Sequence, residues 1–302
     1  MKYHRRPSGL LTPEKELIQP GLCSLLTVNQ LVGFGAGGGA GGNRTLLQIL
    51  TDLSLTSNLK LCFDAGDSAS YGGSGQTWTD RGGTQDFWFG ADGGSSTDDP
   101  SFNGSPGGLS SSEYMGSNGG DFFRAKAQPA FIQNVHKNNA RWAGFAVVYQ
   151  TGNNALGITG TTGTGSPAVG FDWVLNSGVQ TLTVGTGGAA ALYKPCDSVV
   201  GANVWNFLAV DVDEATGAGG GFFRKNKAYD QVSSSDTWDA TYSSPSASSA
   251  AQTVEIGARG NGDIAMANGS QKACFAFWQG GGITEAEFDA IYDALNGERG
   301  FI

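Results

Sequence analysis

The stretch Lys272-Ala-Cys-Phe-Ala-Phe-Trp278 decides the fold prediction, because it has the pattern of a strand that is buried on both faces. Its apolar side chains alternate between Ala273, Phe275 and Phe277 on one face and Cys274, Ala276 and Trp278 on the other. A half-exposed strand alternates apolar with polar residues, whereas a strand covered on both sides is apolar throughout. We therefore expect a layer of structure on each side of this segment.

A helix follows this strand. Thr284 is the predicted N-cap, and Glu287, three residues on, completes a capping box. Ile283 before the cap and Phe288 at N4 form a hydrophobic staple. Asn296-Gly297 supplies a left-handed stop. The sequence therefore predicts a short C-terminal helix packed against the strands before it.

Upstream, short apolar runs alternate with glycine-rich turns. Glycine makes up 49 of the 302 residues, which favours many turns, and 39% hydrophobic residues are enough for a core. The predicted strands span residues 59–63, 140–149, 170–175, 179–184, 204–212, 221–225, 253–257 and 272–278. Many short strands separated by turn signals predict an all-β sandwich or barrel.

The first 43 residues differ in composition from the rest. Three of the first twenty residues are prolines, and seven of the ten residues 33–42 are glycine. This composition is typical of an extended arm or linker. Its apolar side chains need another surface, either the protein's own domain or a neighbouring subunit, and we expect them to anchor the chain: Leu22, Leu25, Leu26, Leu31 and Phe34.

Three regions follow from these patterns. We predict an extended anchoring arm over 1–43, a short helix or connector over 44–58, and a β-sandwich over 59–302. Asn43 is the expected N-cap of the short helix, and leucines and an isoleucine from Leu46 to Leu53 have helical spacing.

Charge and composition exclude several classes of partner. The chain has 18 Lys and Arg against 27 Asp and Glu, a net charge of −9, so a phosphate backbone would repel its surface. No apolar run approaches the length of a membrane span, and the start lacks the apolar run of a signal peptide. We expect synthesis in a reducing cytosol. Four distant cysteines then favour unpaired, mostly buried thiols, with disulfides or a zinc site as the alternatives.

Three ordered places along the chain resemble the laminin G-like, concanavalin A-like jelly-roll superfamily. The first is Leu61-Cys-Phe-Asp64 leading to Trp78-Thr-Asp80. The second is Val204-Trp-Asn-Phe-Leu-Ala-Val-Asp-Val-Asp213 with Phe222-Phe-Arg-Lys-Asn-Lys-Ala228, and the third is Val254-Glu-Ile-Gly-Ala-Arg259 with the final strand and helix. The resemblance covers roughly residues 59–302. It implies two curved antiparallel sheets packed face to face.

The resemblance also implies a function. Members of this superfamily bind glycans, lipids or proteins, and some hydrolyse polysaccharides. The version with this opening and a glycine-rich lead-in is similar to virion proteins of tailed bacteriophages and gene transfer agents. We expect an oligomeric structural protein of a capsid or tail fibre, located in the virion. Its partners would be other virion proteins, copies of itself and host-surface polysaccharide, and neither nucleic acid nor a membrane. The alternatives are a purely architectural decoration protein and a carbohydrate-binding module or glycanase.

No catalytic residue is predicted, so we expect the protein not to be an enzyme. Glycoside hydrolysis needs two facing carboxylates, and the closest acidic pair, Asp211 and Asp213, precedes a glycine turn in which aspartates are ordinary turn formers. His136 is expected to be a solvated loop histidine, and His4 lies in the arm. Gly33-Phe-Gly-Ala-Gly-Gly38 matches a dinucleotide loop, but linker or arm is the favoured interpretation.

Two kinds of ligand site remain open from the sequence. Asp92, Asp98 and Asp99 crowd one loop, where solvated turns are favoured and a bound calcium ion is the alternative. Sugar sites use an aromatic ring beside acids and amides that hold hydroxyl groups. The residues that fit this description are Trp88, Asp172, Trp173, Asp236, Trp238 and Asp239.

Overall fold

The computed structural model describes residues 43–164, 168–232 and 238–301. Its helices are α1 (Leu46–Asp52), a 3-10 helix (Ala130–Asn134) and α2 (Glu285–Arg299). The first strands are β1 (Leu59–Asp64), β2 (Thr77–Trp78), β3 (Phe87–Phe89), β4 (Ser101–Asn103), β5 (Tyr114–Gly116), β6 (Phe123–Ala125), β7 (Arg141–Tyr149) and β8 (Leu156–Gly160). The others are β9 (Gly170–Asn176), β10 (Val179–Gly185), β11 (Ala190–Val199), β12 (Trp205–Asp213), β13 (Gly221–Lys225), β14 (Ala228–Asp230), β15 (Glu255–Ile256) and β16 (Gln271–Gln279).

The strands form two eight-stranded sheets whose ladders are antiparallel throughout the described residues. Sheet A has the order β14-β13-β12-β7-β16-β5-β4, with β1 also paired to β16. Sheet B has the order β11-β10-β9-β8-β15-β6-β3-β2. The protein is a two-sheet antiparallel jelly-roll sandwich with a C-terminal helix, as the sequence predicts.

The molecule has two apolar layers, and β16 contributes to both. Phe275 and Phe277 lie in the core between the sheets, while Ala276 and Trp278 lie in a second core beneath α1 and α2. The strand is therefore covered on both sides, as its sequence predicts. Helix packing thus covers the outer face of sheet A.

A bulge at the start of β16 corrects one detail of that prediction. The register with β7 shifts between Lys272 and Cys274, so Ala273 packs in the helix-side core and does not share the face of Phe275 and Phe277. The shift also places Lys272 in the interior with no exposed surface. Its Nζ donates to the carbonyl oxygens of Gly157 at 3.4 Å and Ile158 at 3.2 Å.

Both helix starts follow capping rules. Thr284 caps α2, and Glu287 completes the predicted capping box. The predicted end of α2 is wrong, because the helix continues to Arg299 and stops at Gly300 in the left-handed region (φ 65°). The predicted cap of α1 is also wrong: Thr45, with Gln48, forms its capping box, because the helix begins at Leu46.

Several predictions lie outside the described residues. They concern most of the anchoring arm over 1–43, its anchoring candidates Leu22, Leu25, Leu26, Leu31 and Phe34, the glycine motif at 33–38 and Asp236. Within the described ranges, no helix has the length and apolarity needed to cross a membrane. The three described cysteines, Cys62, Cys196 and Cys274, are free and buried.

Candidate functional site

A groove of mixed polar and apolar lining lies on the outer face of sheet B, the face that points away from the two helices. It encloses about 170 Å³. The side chains and backbone that line it are Thr162, Gly163, Asp172, Val174, Asn176, Thr181, Thr183, Ala190, Tyr193, Arg259 and Ile264. We call this the sheet B groove.

Strand register builds the floor of the sheet B groove. Asp172 in β9 pairs with Thr183 in β10, and Thr183 pairs with Tyr193 in β11. These three side chains form one row across the sheet because directly opposed residues point to the same face. Side chains alternate along each strand, so Trp173 and Leu182 point into the core instead.

Asp172 is the buried charge at the bottom of the groove. It is 5% exposed, and the Thr162 hydroxyl donates to its Oδ2 at 3.0 Å. Burial raises the pKa of Asp172 above its ordinary value, while hydrogen bonds from the Thr162 and Thr183 hydroxyls pull the pKa back down. A carboxylate has about four lone-pair sites. Asp172 therefore keeps capacity to accept hydrogen bonds from a ligand.

An ion pair borders the sheet B groove. The Arg259 guanidinium forms an ion pair with the Asp263 carboxylate four residues on, through both Nε and Nη2. The carbonyl oxygen of Arg259 accepts the backbone amide of Thr162 at 2.8 Å. The ion pair closes the loop that carries Arg259, and the backbone bond ties that loop to the end of β8 beside the groove.

An exposed aromatic ring completes the groove. Tyr193 is 53% exposed at its rim, and Asn176 adds an amide group to the lining. The arrangement combines an aromatic face, hydroxyl groups, an amide and a carboxylate. Chemically, it can hold a polyhydroxylated ring.

Of the predicted sugar-binding residues that the structure describes, Asp172 alone lines the sheet B groove. Trp173 is fully buried, and its Nε1 donates to Gln180 Oε1 at 3.3 Å within the core. Trp238 is 7% exposed and packs edge-on against Phe223. Neither indole offers a free face for stacking, which removes both from the candidates. The sequence could not show this, because a tryptophan next to an acid has the same local pattern whichever face it occupies.

Trp88 and Asp239 lie away from the sheet B groove. Trp88 is half-buried in β3, and Lys126 Nζ lies 4.1 Å from the centroid of its ring. Asp239 Oδ1 accepts the backbone amide of Thr241 at 2.9 Å. Thr241 lines a second, more open depression of about 560 Å³ formed with Asn138, Asn139, Glu214, Ala215, Thr216, Gly217 and Ala218. The predicted candidates therefore do not form a single site.

The three aspartates of the predicted calcium loop do not come together as a metal-binding group. Among the described residues, no three His, Cys, Asp or Glu side chains come together in a group that could hold a metal. Each aspartate bonds to its own loop: Asp92 accepts the amide of Gly94 at 2.7 Å, Asp98 accepts that of Ala91 at 3.0 Å, and Asp99 accepts that of Ser96 at 2.9 Å. These carboxylates act as turn formers.

Asp211 in β12 has a structural role. Its carboxylate accepts Arg141 Nη1 at 2.7 Å and the amide of Ile283 at 3.0 Å, which joins sheet A to the start of α2.

The prediction of a solvated His136 is wrong. The residue has no exposed surface, and its Nε2 lies 3.0 Å from the carbonyl oxygen of Ser248. Burial lowers the pKa of His136.

Sequence reasoning missed most of the sheet B groove. The missed residues are Thr162, Asn176, Thr181, Thr183, Tyr193 and Arg259. One signal was available, because Thr181 and Thr183 alternate with apolar residues in Val179-Gln-Thr-Leu-Thr-Val184 and so mark a polar outer face. Nothing local indicates that Tyr193 and Arg259 meet at that face.

Comparisons with known proteins support the fold. No protein-family model matches the sequence, and a search of curated proteins finds no match. The structure is similar to that of the botulinum neurotoxin serotype D binding domain (10% identity, TM-score 0.51, 80% of this chain and 52% of that one). It is also similar to a botulinum neurotoxin type C structure (11%, 0.52, 80% and 52%) and to Trypanosoma rangeli sialidase (11%, 0.48, 80% and 33%). The chain thus spans about half, or a third, of the solved structures that it matches, and at this identity the likeness concerns the fold.

Proposed function

We propose that this chain is a structural virion protein of a tailed phage or phage-like particle whose sandwich binds a host-surface glycan in the sheet B groove. The observation that carries the glycan part is the row of Asp172, Thr183 and Tyr193 on the outer face of sheet B. The virion part rests on the ordered motifs that resemble phage and gene-transfer-agent domains.

The groove has the size and chemistry for one sugar unit. A cavity of about 150 Å³ takes one benzene ring, so the 170 Å³ of the sheet B groove suits a single six-membered ring. Ligand sites place a few convergent polar groups beside apolar or aromatic surface. Tyr193 supplies the aromatic surface, and Asp172 and the threonine hydroxyls supply the polar groups.

The names of two similar structures point in the same direction. One describes cell entry of botulinum neurotoxin type C as dependent upon interaction with two ganglioside molecules. Another describes a botulinum neurotoxin DC binding domain in complex with SialylT (10% identity, TM-score 0.52). Those statements concern the toxins, and for this chain they support a sandwich that serves as a glycan-binding scaffold.

A virion would compensate for a weak single site. A groove that takes one sugar unit offers little contact area, and linking several copies on one particle raises the overall affinity by avidity. In this proposal, residues 1–43 anchor the protein to other virion proteins or to copies of itself, and the sandwich faces outward.

Two exposed tyrosines provide the test. The full chain is applied to an array of bacterial surface glycans, together with Tyr193→Ala and Tyr229→Ala. Tyr193 is 53% exposed at the sheet B groove, whereas Tyr229 is 48% exposed and pairs with Arg224 in sheet A. We expect the glycan signal to fall with Tyr193→Ala and to persist with Tyr229→Ala. Equal loss in both variants, or no signal from the unmodified chain, would contradict the proposed site.

The same array separates the alternatives. An architectural decoration protein gives no signal on any glycan while still joining particles. A glycanase releases new reducing ends when it is incubated with host capsule, whereas we expect none. The prediction that the protein is not an enzyme can therefore be tested directly by measuring reducing ends.

A further inference from the structure

The fixed charges of the sheet B groove do not cancel. Arg259 is bonded to Asp263, and although its positive charge also lowers the pKa of Asp172, one guanidinium cannot neutralise both carboxylates. The described side-chain hydrogen bond to Asp172 comes from the neutral Thr162 hydroxyl. The groove therefore presents a net negative charge at its floor.

We infer that the sheet B groove takes an uncharged sugar ring whose neighbouring hydroxyl groups donate to Asp172, and that it rejects anionic sugars. The inference rests on the proposed glycan-binding function and names its ligand class. An ionised carboxylate can only accept hydrogen bonds, so it pairs with hydroxyl donors. A sugar carboxylate would instead face a like charge at a buried position, where the repulsion is weakly screened.

Thr162 orients the acceptor. Its hydroxyl donates to Oδ2 of Asp172 at 3.0 Å from the β8 side of the row, and Thr183 lies directly opposite Asp172 in β10. The Thr162 bond restrains the carboxylate, which lowers the entropic cost of placing ligand hydroxyl groups on it. Tyr193 then flanks the ring from β11.

This preference is opposite to that suggested by the names of similar structures. Those names mention gangliosides and a sialyl ligand for the neurotoxins. Sialic acid carries a carboxylate, which the Asp172 floor disfavours. The shared sandwich would then carry a different sugar specificity.

Matched pairs of sugars test the inference without any variant. The full chain is titrated with the methyl glycosides of glucose, galactose and mannose and with the corresponding uronic acids, which differ only by oxidation of C6 to a carboxylate. We expect at least one neutral sugar to bind about tenfold more tightly than its uronic acid, since a hydrogen bond to a charged group contributes roughly that factor. A uronic acid or sialoside that binds equally well or better overturns the inference.

Asp172→Asn and Asp239→Asn form the matched pair of variants. Asp172→Asn removes the charge but keeps the shape, so we expect it to weaken binding of the neutral sugar about tenfold and to narrow its preference over the uronic acid. Asp239→Asn makes the same chemical change outside the groove. It should leave unchanged both the affinity for the neutral sugar and the ratio of that affinity to the affinity for the uronic acid. Unchanged binding in a folded Asp172→Asn protein overturns the inference.

The two proposals fail in different ways. Binding of anionic sugars that is lost in Tyr193→Ala leaves the groove as a glycan site and overturns only the neutral specificity. No binding of any sugar, neutral or anionic, overturns the glycan function and the specificity together.

Discussion

Arg299 in the last turn of α2 forms a two-bond ion pair with Asp64 at the end of β1, with Nη1–Oδ1 and Nη2–Oδ2 distances of 2.7 Å. Each side chain is 1% exposed. Arg299 Nη2 also donates to the carbonyl oxygen of Arg44, and Asp64 accepts the backbone amide of Leu46 at 2.8 Å. The pair therefore joins the C-terminal helix, the first strand and the start of α1.

Replacing Arg299 with methionine should destabilise the fold strongly. The change leaves the Asp64 carboxylate buried without its counter-charge, and breaking a buried pair from one side costs about 3–5 kcal/mol. Urea unfolding of the full chain measures the difference.

Lys227→Met is the control for that prediction. Lys227 pairs with Asp293 on the surface, where the two side chains are 46% and 60% exposed. Water and salt screen such a pair, so we expect no measurable change in the free energy of unfolding. Similar losses in Arg299→Met and Lys227→Met would mean that burial does not set the importance of the Arg299 pair.

Long apolar patterns predicted the large strands well. The predicted strand over 204–212 corresponds to β12 (Trp205–Asp213), and the one over 272–278 corresponds to β16 (Gln271–Gln279). These strands lie at the centre of sheet A, where both faces are buried. Their sequences are therefore largely apolar, and this pattern can be recognised without the structure. The C-terminal helix start was predicted because a capping box is a local signal.

Two of the missed strands show different reasons for the failure. β8 (Leu156–Gly160) contains two glycines and has the local pattern of a turn. Gly157 is needed there because a Cβ would lie 2.4 Å from the backbone of Ala258, about a hundred positions away, and no local pattern contains that contact. β11 (Ala190–Val199) pairs with the preceding strand β10, but it includes Lys194 and Pro195 and shows no apolar alternation.

Most of the sheet B groove was missed because strand pairing brings its residues together. Asp172, which the sequence predicts as a ligand-binding residue, lines the groove, but its neighbours there come from the register of β9, β10 and β11. Adjacent Trp173 was included on chemical grounds, although the two-residue period of a strand sends it to the opposite face.

Lys272 should make the stability of the protein depend on pH above neutrality. Burial lowers the pKa of Lys272 to about 7 in the folded state, whereas an unfolded lysine has a pKa of about 10.4. Between these values the unfolded chain binds the extra proton, so this residue makes the free energy of unfolding rise with pH. The slope reaches about 1.4 kcal/mol per pH unit.

Lys272→Met isolates this contribution. The variant removes the buried amine, so we expect it to be more stable than the unmodified protein at pH 7, with the difference shrinking toward pH 8.5. Comparing the two proteins at each pH cancels the opposing effect of the buried thiols, whose pKa values burial raises. A constant difference across this range, measured by urea unfolding, would show that Lys272 does not titrate there.

Glycan binding should weaken in mild acid because of Asp172. Burial raises the pKa of this carboxyl, so it takes up a proton at a higher pH than an ordinary aspartate. The protonated form is a poorer acceptor for sugar hydroxyl groups. Titrating the neutral sugar between pH 7 and pH 4 should show falling affinity in the unmodified protein and a flatter profile in Asp172→Asn. If affinity falls equally with pH in the unmodified protein and in Asp172→Asn, protonation of Asp172 is not the cause of the pH dependence.

Removing residues 1–41 should abolish incorporation into particles while leaving the sandwich intact. Residues 42–302 form a compact unit of their own, and Arg44 is held there by Glu298 and Asp52. We therefore expect the shortened chain to keep the thermal midpoint and glycan binding of the full chain. Purified particles analysed by mass spectrometry should lack the shortened chain. A second variant keeps the full length of the arm and replaces its apolar side chains with serine at Leu22, Leu25, Leu26, Leu31 and Phe34. It tests whether these side chains, and not the length of the arm, anchor the protein. We expect this variant to be missing from the particles as well. Normal incorporation of the shortened chain would instead place the docking surface on the sandwich.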